Sequence, residues 1–487
     1  MKIVLIEPAP DGVHVFTDIC MPRGVLVLGS ILKLANYEVE IYCEALGAFD
    51  LKEAVKSADI VGISVITPTA KKGYEVARAC KGLGKKVVMG GPHVTALPDE
   101  AMQYADFVLC GEADKSIVPF MQAFEKGVEP LEGAEPLQGF ENVPGLSFRK
   151  DGKIVHNGRT AFVMDLDSLP YIDFSLIKGN TKRISVTPIM TSRGCPYNCT
   201  FCSVTGMFGH KYRFTCMERT LNFIRNHRAL VASPQGTEKG GIKDKLDWVF
   251  FYDDNFTADK KRVKALCREM VATGLTPNWA GQFHIDIGKD PELLALMKQS
   301  NCFIGCIGLE SINPKTLELY NKKQTVEEME RGIQEIHRNG IRIHGMFVLG
   351  SDEDTIDTIY ATMKFARKNR IASVQFLILT PLPGTKTYND LEKEGRITNR
   401  DWSLYDAHHV VFEPKMISRY DLQYHTIRAM RMFYSPTHTI VDFIASLFSK
   451  PLKDNIQVAA WRLRAYRIIR SFVKQNKEFT EALKHRA

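Results

Sequence analysis

Two successive series of alternating strand and helix patterns constrain this chain more than any other feature. Short, β-branched-rich runs fall at Lys2–Ile6, Glu38–Tyr42, Asp59–Val65, Lys86–Met89 and Asp106–Leu109, with periodic segments such as Val25–Leu34 and Ala70–Leu83 between them. That alternation predicts an α/β domain, doubly wound and Rossmann-like, on a mainly parallel sheet. A second series runs Ile184–Met190, Trp248–Tyr252, Trp279–His284, Phe303–Leu309, Ile341–Leu349 and Val374–Leu379. Six parallel strands with intervening helices form part of a β/α barrel, whose site lies at the carboxyl ends of the strands. Between the two series, Leu146–Lys150 and Lys153–His156 flank Asp151-Gly152, a hairpin turn signal. After Pro381-Leu-Pro-Gly384 the pattern becomes mixed and then helical. The expected organisation is an α/β domain over 1–145, a hairpin and linker over 146–183, a partial (β/α)6 barrel over 184–395, and a mostly helical C-terminal region over 396–487.

A chain of 487 residues holds two or three domains rather than one. With 45% hydrophobic and 25% charged residues it has the composition of a globular protein. No run of about eighteen uncharged apolar residues is present to span a membrane. The N-terminal Met1–Glu7 reads as a first strand and is too short for a secretory signal. The net charge of +8 permits an anionic partner without requiring one.

Cys195, Cys199 and Cys202 are crowded into Gly194-Cys-Pro-Tyr-Asn-Cys-Thr-Phe-Cys202, directly after the first strand of the second series. A four-iron cluster takes one thiolate per iron, so a C-x3-C-x2-C loop leaves one iron open to an exogenous ligand. The competing reading is structural zinc, which wants a fourth ligand. No second C-x2-C pair lies near, and Cys216 is fourteen residues beyond Cys202. Eleven cysteines in a chain this long are not a disulfide scaffold, and clustered thiols fit a reducing, cytoplasmic compartment.

Other polar residues gather at strand ends. Asp253, Asp254 and Asn255 follow the second barrel strand, where they would bind a metal or substrate, or cap the helix that follows. Gln282, His284 and Asp286 alternate, which places them on one face of the third strand, either inside the barrel or against its helices. His344 reads as a hydrogen-bonded core histidine. His408 and His409, beside Tyr405 and Asp406, would contact substrate or pack the tail. In the first domain the ligand positions are the loops at the carboxyl ends of the strands: Pro8–His14, Thr67–Thr69, Gly90–Pro98 and Gly111–Asp114.

The cysteine loop, with Phe201 just before its third cysteine, resembles the signature of the radical S-adenosylmethionine (SAM) enzymes. The order of α/β domain then barrel, from Met1 to about Ser435, resembles their cobalamin-binding-domain class. The resemblance implies a 4Fe-4S cluster on Cys195, Cys199 and Cys202, with SAM on the open iron and split to methionine and a 5′-deoxyadenosyl radical. It places SAM against the Asp253, Asp254 and Asn255 loop, Gln282, and Glu310 of Ile307-Gly-Leu-Glu-Ser311. A corrinoid would lie at Thr67, Pro68, Gly90, Gly91, His93 and Glu112. The implied reaction is cobalamin-dependent methylation of an unactivated carbon by a C-methyltransferase. Cyclisation, rearrangement or carbon–carbon coupling without methyl transfer stays open, as does a non-enzymatic corrinoid or iron–sulfur carrier.

Two motifs depart from the pattern. Asp11-Gly-Val-His-Val-Phe16 lacks the Asp-x-His-x-x-Gly of many cobalamin proteins, and the fifth strand closes with Gly350-Ser-Asp-Glu-Asp-Thr355 rather than a Gly-Pro-Gly-Glu-Thr-like loop. The expected partners are a small-molecule or lipid substrate and a reducing protein such as flavodoxin or ferredoxin. The absence of an added RNA-binding domain argues against nucleic acid. From Trp461 to Lys477, Arg462, Arg464, Arg467, Arg470, Lys474 and Lys477 interleave with apolar residues. Such a helix either packs its apolar stripe on the barrel or lies peripherally on an anionic membrane face, the inner one for a cytoplasmic protein.

Overall fold

The computed structural model describes residues 1–12, 24–128, 139–179, 186–231, 248–447 and 452–486. Val13–Phe16 of the atypical cobalamin stretch, and Ile184 and Ser185 of the first barrel strand, lie outside the described residues.

The N-terminal sheet contains β1 (Lys2–Glu7), β2 (Glu38–Cys43), β3 (Ile60–Ser64), β4 (Lys86–Gly90), β5 (Phe107–Leu109), β6 (Leu146–Lys150), β7 (Lys153–His156) and β8 (Ile177–Lys178). Their order is β7-β6-β5-β4-β3-β1-β2-β8. Pairing is parallel from β5 through β2 to β8 and antiparallel in β5–β6–β7. β1 shows why the sheet is doubly wound. Its run Ile3-Val-Leu-Ile6 is apolar at every position and fully buried, with Ile3 and Leu5 in one hydrophobic core and Val4 and Ile6 in another. A strand apolar on both faces has to be covered on both faces. The hairpin and β8, expected in a separate linker, complete the two edges of this sheet instead.

The second sheet is β9 (Thr187–Ile189), β12 (Trp248–Phe251), β13 (Asn278–Phe283), β14 (Cys302–Glu310), β15 (Arg342–Leu349) and β16 (Ser373–Ile378), parallel throughout and in sequence order. The short pair β10 (Ser192–Arg193) and β11 (Arg213–Phe214) brackets the cysteine loop. Trp279, Phe283, Ile307, Ile343, Phe347, Phe376 and Ile378 are buried in one core beneath the helices. The alternate residues Phe250, Gln282, Cys306, His344, Met346 and Gln375 are only half-buried. Period-two alternation thus builds a wall with a closed outer face and an accessible inner one.

The C-terminal region contributes helices Arg419–Phe433, Pro436–Ser446 and Leu452–Gln475. The last of these buries Ala465, Ile469 and Phe472 in the barrel core. Its buried Arg462 donates to Asp442 at 2.6 Å and to the Phe433 carbonyl at 2.8 Å. The basic helix therefore packs its apolar stripe on the fold. No helix among the described residues is long and apolar enough to cross a membrane.

Candidate active site between the two domains

The cysteine loop is held from three directions. Thr200 donates its amide to the Tyr320 carbonyl at 3.2 Å, and Asn321 donates to the Asn198 carbonyl at 2.9 Å. The Thr387 amide donates to the Thr200 carbonyl at 3.0 Å, and Phe201 packs edge-on against Tyr320. Cys195, Cys199 and Cys202 are half-buried. Burial pushes all three thiols up, Cys202 to about 12, and each of Cys195 and Cys202 also feels the negative charge of its neighbours. The three sulfurs lie within electrostatic reach of one another, so one short loop offers three thiolates together. Cys216 stands apart: it is exposed, its sulfur accepts the Arg219 amide at 3.4 Å, and its own amide binds Asp167. It caps the Met217–Val231 helix rather than joining the other three thiols. The donor set fits a cluster with one open iron.

Glu310 and Lys322 face this loop. Their ion pair is 2.9 Å long and nearly buried. Burial opposes the Lys322 charge, but the Glu310 carboxylate and Cys199 outweigh it and its pKa is raised. Glu310 has a left-handed backbone, φ 60°, at an irregularity in the β14–β15 register. That twist turns the carboxylate back along the strand, where a Cβ on Gly308 would collide with its Oε1. Nothing in the local sequence marks Lys322; only the chain path brings it within electrostatic reach of Cys199.

The loop after β12 divides its roles. Asp253 is fully buried and accepts from the Thr191 amide (2.9 Å), Thr191 Oγ1 (3.0 Å) and Ser192 Oγ (2.5 Å). Its expected contact with SAM is therefore corrected: it clamps the strand that leads into the cysteine loop. Burial nonetheless raises its pKa despite these donors. Asp254 is half-buried and within electrostatic reach of Cys195 and Cys202. Asn255 is buried and accepts from Thr257 Oγ1. None of the three caps the next helix; Asp259 does, accepting the Arg262 amide at 3.0 Å.

Gln282 lies on the inner face of β13, but the expected alternation through His284 and Asp286 stops at Phe283. His284 begins a 3-10 turn, stacks on Tyr197 of the cysteine loop at 4.6 Å, and pairs with Asp286 at 3.1 Å. His344 bonds Ser373 Oγ at 2.7 Å on the inner wall, and burial lowers its pKa to about 4. His409 is wedged between Asp406 and Asn476 against Phe472 and Phe479, which is a packing role. Asp354 is buried and accepts the Gly350 and Ser351 amides, so it closes the atypical loop on itself.

In the N-terminal domain the carboxyl ends of β3 and β4 present exposed Ile66, half-buried Pro68, and Gly90 and Gly91. Gly91 has φ 106° and its Cβ position is filled by the Val65 carbonyl oxygen, so only glycine fits there. This low apolar ledge suits a flat macrocycle. Three expected corrinoid contacts are corrected. His93 is 1% exposed, with Nε2 on Tyr74 Oη at 3.1 Å and Nδ1 on Thr67 Oγ1 at 3.4 Å. It also packs edge-on to Trp402, whose Nε1 donates to Glu100 at 2.8 Å. With both ring nitrogens engaged in this joint, His93 offers no axial ligand, and the Thr67 side chain is buried with it. Glu112 is also buried, bound to Arg213 at 2.5 and 2.9 Å and to the Val163 amide at 2.8 Å. Beside it, Asp114 takes Arg193 in a two-pronged pair at 2.8 and 2.9 Å. Arg193 is two residues before Cys195, so the two arginines lock the cysteine loop to the corrinoid-side loop. A Cβ on Gly384 would lie 3.3 Å from the Ala96 side chain across the same boundary.

Family models match both halves. Residues 11–118 match the B12 binding domain, and residues 189–366 match the radical SAM superfamily. The chain belongs to the cobalamin-binding-domain radical SAM family. The first domain is thus of the B12-binding type and the second of the radical SAM type. This radical SAM chain is 29% identical over 420 residues to an uncharacterised methyltransferase of Pyrococcus horikoshii, covering 83% of this chain and 86% of that one. It is also 29% identical over 418 residues to bacteriochlorophyllide d C-12(1)-methyltransferase of Chlorobaculum tepidum, covering 85% and 83%. Among solved structures it shares its fold with the cobalamin-dependent SAM radical enzyme OxsB, seen with aqua-cobalamin and SAM bound (TM-score 0.69, 14% identity, 99% of this chain and 80% of that one).

Proposed function

We propose that this chain methylates an unactivated carbon of a largely apolar small molecule held inside the barrel. The observation that carries the reading is the junction itself. The loop that carries Glu112 and Asp114 meets the strands flanking the cysteine loop, and Glu112–Arg213 and Asp114–Arg193 hold the two sides in register. When bound, the cofactors supply a 5′-deoxyadenosyl radical on one side and a transferable methyl group on the other. The protein's own residues then have only to bind, orient and exclude water, so no protein nucleophile is needed. Cys195, Cys199 and Cys202 would hold the cluster. Glu310, with Lys322 balancing its charge, would accept from the amino group of SAM, and Asp254, Asn255 and Gln282 would line the rest of that pocket. Ile66, Pro68, Gly90 and Gly91 would support the corrinoid, with no histidine offered from His93.

The inner wall supports the substrate class. Phe250, Met346 and Leu377 are apolar, while Gln282, Gln375 and uncharged His344 provide a few hydrogen bonds. Such a lining favours a mostly apolar body with a few polar groups. A low-potential one-electron donor such as flavodoxin or ferredoxin would reduce the cluster, which fits a reducing, cytoplasmic setting. The test is anaerobic reconstitution with iron, sulfide and hydroxocobalamin, followed by incubation of candidate substrates with methyl-labelled SAM. Labelled product accompanied by both 5′-deoxyadenosine and S-adenosylhomocysteine is expected. Product formed with 5′-deoxyadenosine but without label would overturn methyl transfer in favour of cyclisation or coupling.

A further inference from the structure

The Pro436–Ser446 and Leu452–Gln475 helices form an antiparallel pair. Arg462 reaches Asp442, and Asn455 Nδ2 donates to the Ser446 carbonyl at 2.9 Å. The inner faces of the pair are accounted for: Trp461 packs edge-on to Trp248 and Phe303, and Arg342 pairs with Asp454 at 3.2 Å. These partners begin, or lie next to the beginning of, β12, β14 and β15, so the pair closes the end of the barrel opposite the cysteine loop. No described residue covers the outer face. Ile440, Val441, Ile444, Leu452 and Ile456 are each more than half exposed. A contiguous group of this kind is a docking surface by default in a soluble protein.

We infer that this surface is a peripheral docking site for an anionic lipid bilayer. Charge selects that occupant. On the Leu452–Gln475 helix the exposed stripe continues from Ile456 and Ala460 into Arg464, Arg467, Arg470 and Lys474, at helical spacing. The two acids beside the apolar patch, Asp442 and Asp454, are each neutralised in an ion pair, with Arg462 and Arg342. The outward face is therefore apolar at the tip and cationic along the stem, the pattern of an in-plane interfacial helix whose apolar side enters the acyl boundary while its cations meet lipid phosphates. A second copy fits less well, because a two-fold contact would set the arginine row against itself. Docking there leaves the junction between the domains unobstructed.

The experiment is flotation of the full-length, cluster-loaded protein with vesicles of phosphatidylcholine alone, or with about a third phosphatidylglycerol. The native protein is expected to float with the anionic vesicles only, and less so as salt is raised. The pair Ile440→Glu with Ile444→Glu, and separately Arg464→Glu with Arg467→Glu, should each reduce flotation by about tenfold or more while iron content and circular dichroism stay native. Three results would overturn the inference. These are no flotation of the native protein with anionic vesicles, unchanged flotation of the isoleucine variant, or a native dimer in light scattering that the isoleucine variant dissociates.

Discussion

Gly308 and Glu310 show how far single residues set this site. The carboxylate turns back along β14 into space that only a glycine leaves free. Gly308→Ala should displace the Glu310 carboxylate and raise the KM for SAM by about tenfold, the scale of one charge-assisted hydrogen bond. Iron content should stay native, since no cysteine moves; SAM-dependent release of 5′-deoxyadenosine measures the first and iron analysis the second. His344 makes a second prediction. Its folded pKa of about 4 lies below the ordinary histidine value of about 6.5. The unfolded chain therefore binds the extra proton first, and stability present above about pH 6.5 is lost as pH falls through 4, by up to about 3–4 kcal/mol. Urea unfolding at neutral pH and at about pH 5 should show a shallower pH slope for His344→Gln than for the native chain.

At the level of elements, the cysteine loop depends on strands that carry none of its ligands. Asp253, at the end of β12, takes three donors from Thr191 and Ser192 at the foot of the loop. Asp253→Ala strands those buried donors, at about 1–3 kcal/mol. A lower melting temperature and partial loss of iron on gel filtration are expected, although no cysteine is touched. Much of this scale was legible from pattern. The five parallel strands of the first domain and the six of the barrel fall within a few residues of the alternating runs, because a buried strand has to be apolar where it faces helices. The short β10–β11 pair and β8 were not legible, since two residues carry no period. The strand-like run through His284 and Asp286 misled for a related reason: alternation of polar residues persists through a turn that ends the ladder.

For the whole molecule, the decisive contacts join the domains. Glu112–Arg213 and Asp114–Arg193 are buried pairs between the corrinoid-side loop and the strands around the cysteines. Glu112→Gln leaves buried guanidinium charge uncompensated, at about 3 kcal/mol or more. We expect the two sites to drift apart, so methylated product per 5′-deoxyadenosine should fall several-fold while iron and corrinoid contents hold; the product ratio measured in one assay decides it. The sequence by itself determined the two βα series and the family, and singled out the three cysteines proposed to hold the cluster, because a metal loop and an apolar period are local and need no partner to be read. Only the tertiary structure decided what Asp253, His93, Glu112 and the buried Arg462 of the C-terminal helix do. Each has the chemistry of a binding residue, and each is spent on a partner tens to hundreds of residues away, or on packing, which no local pattern encodes.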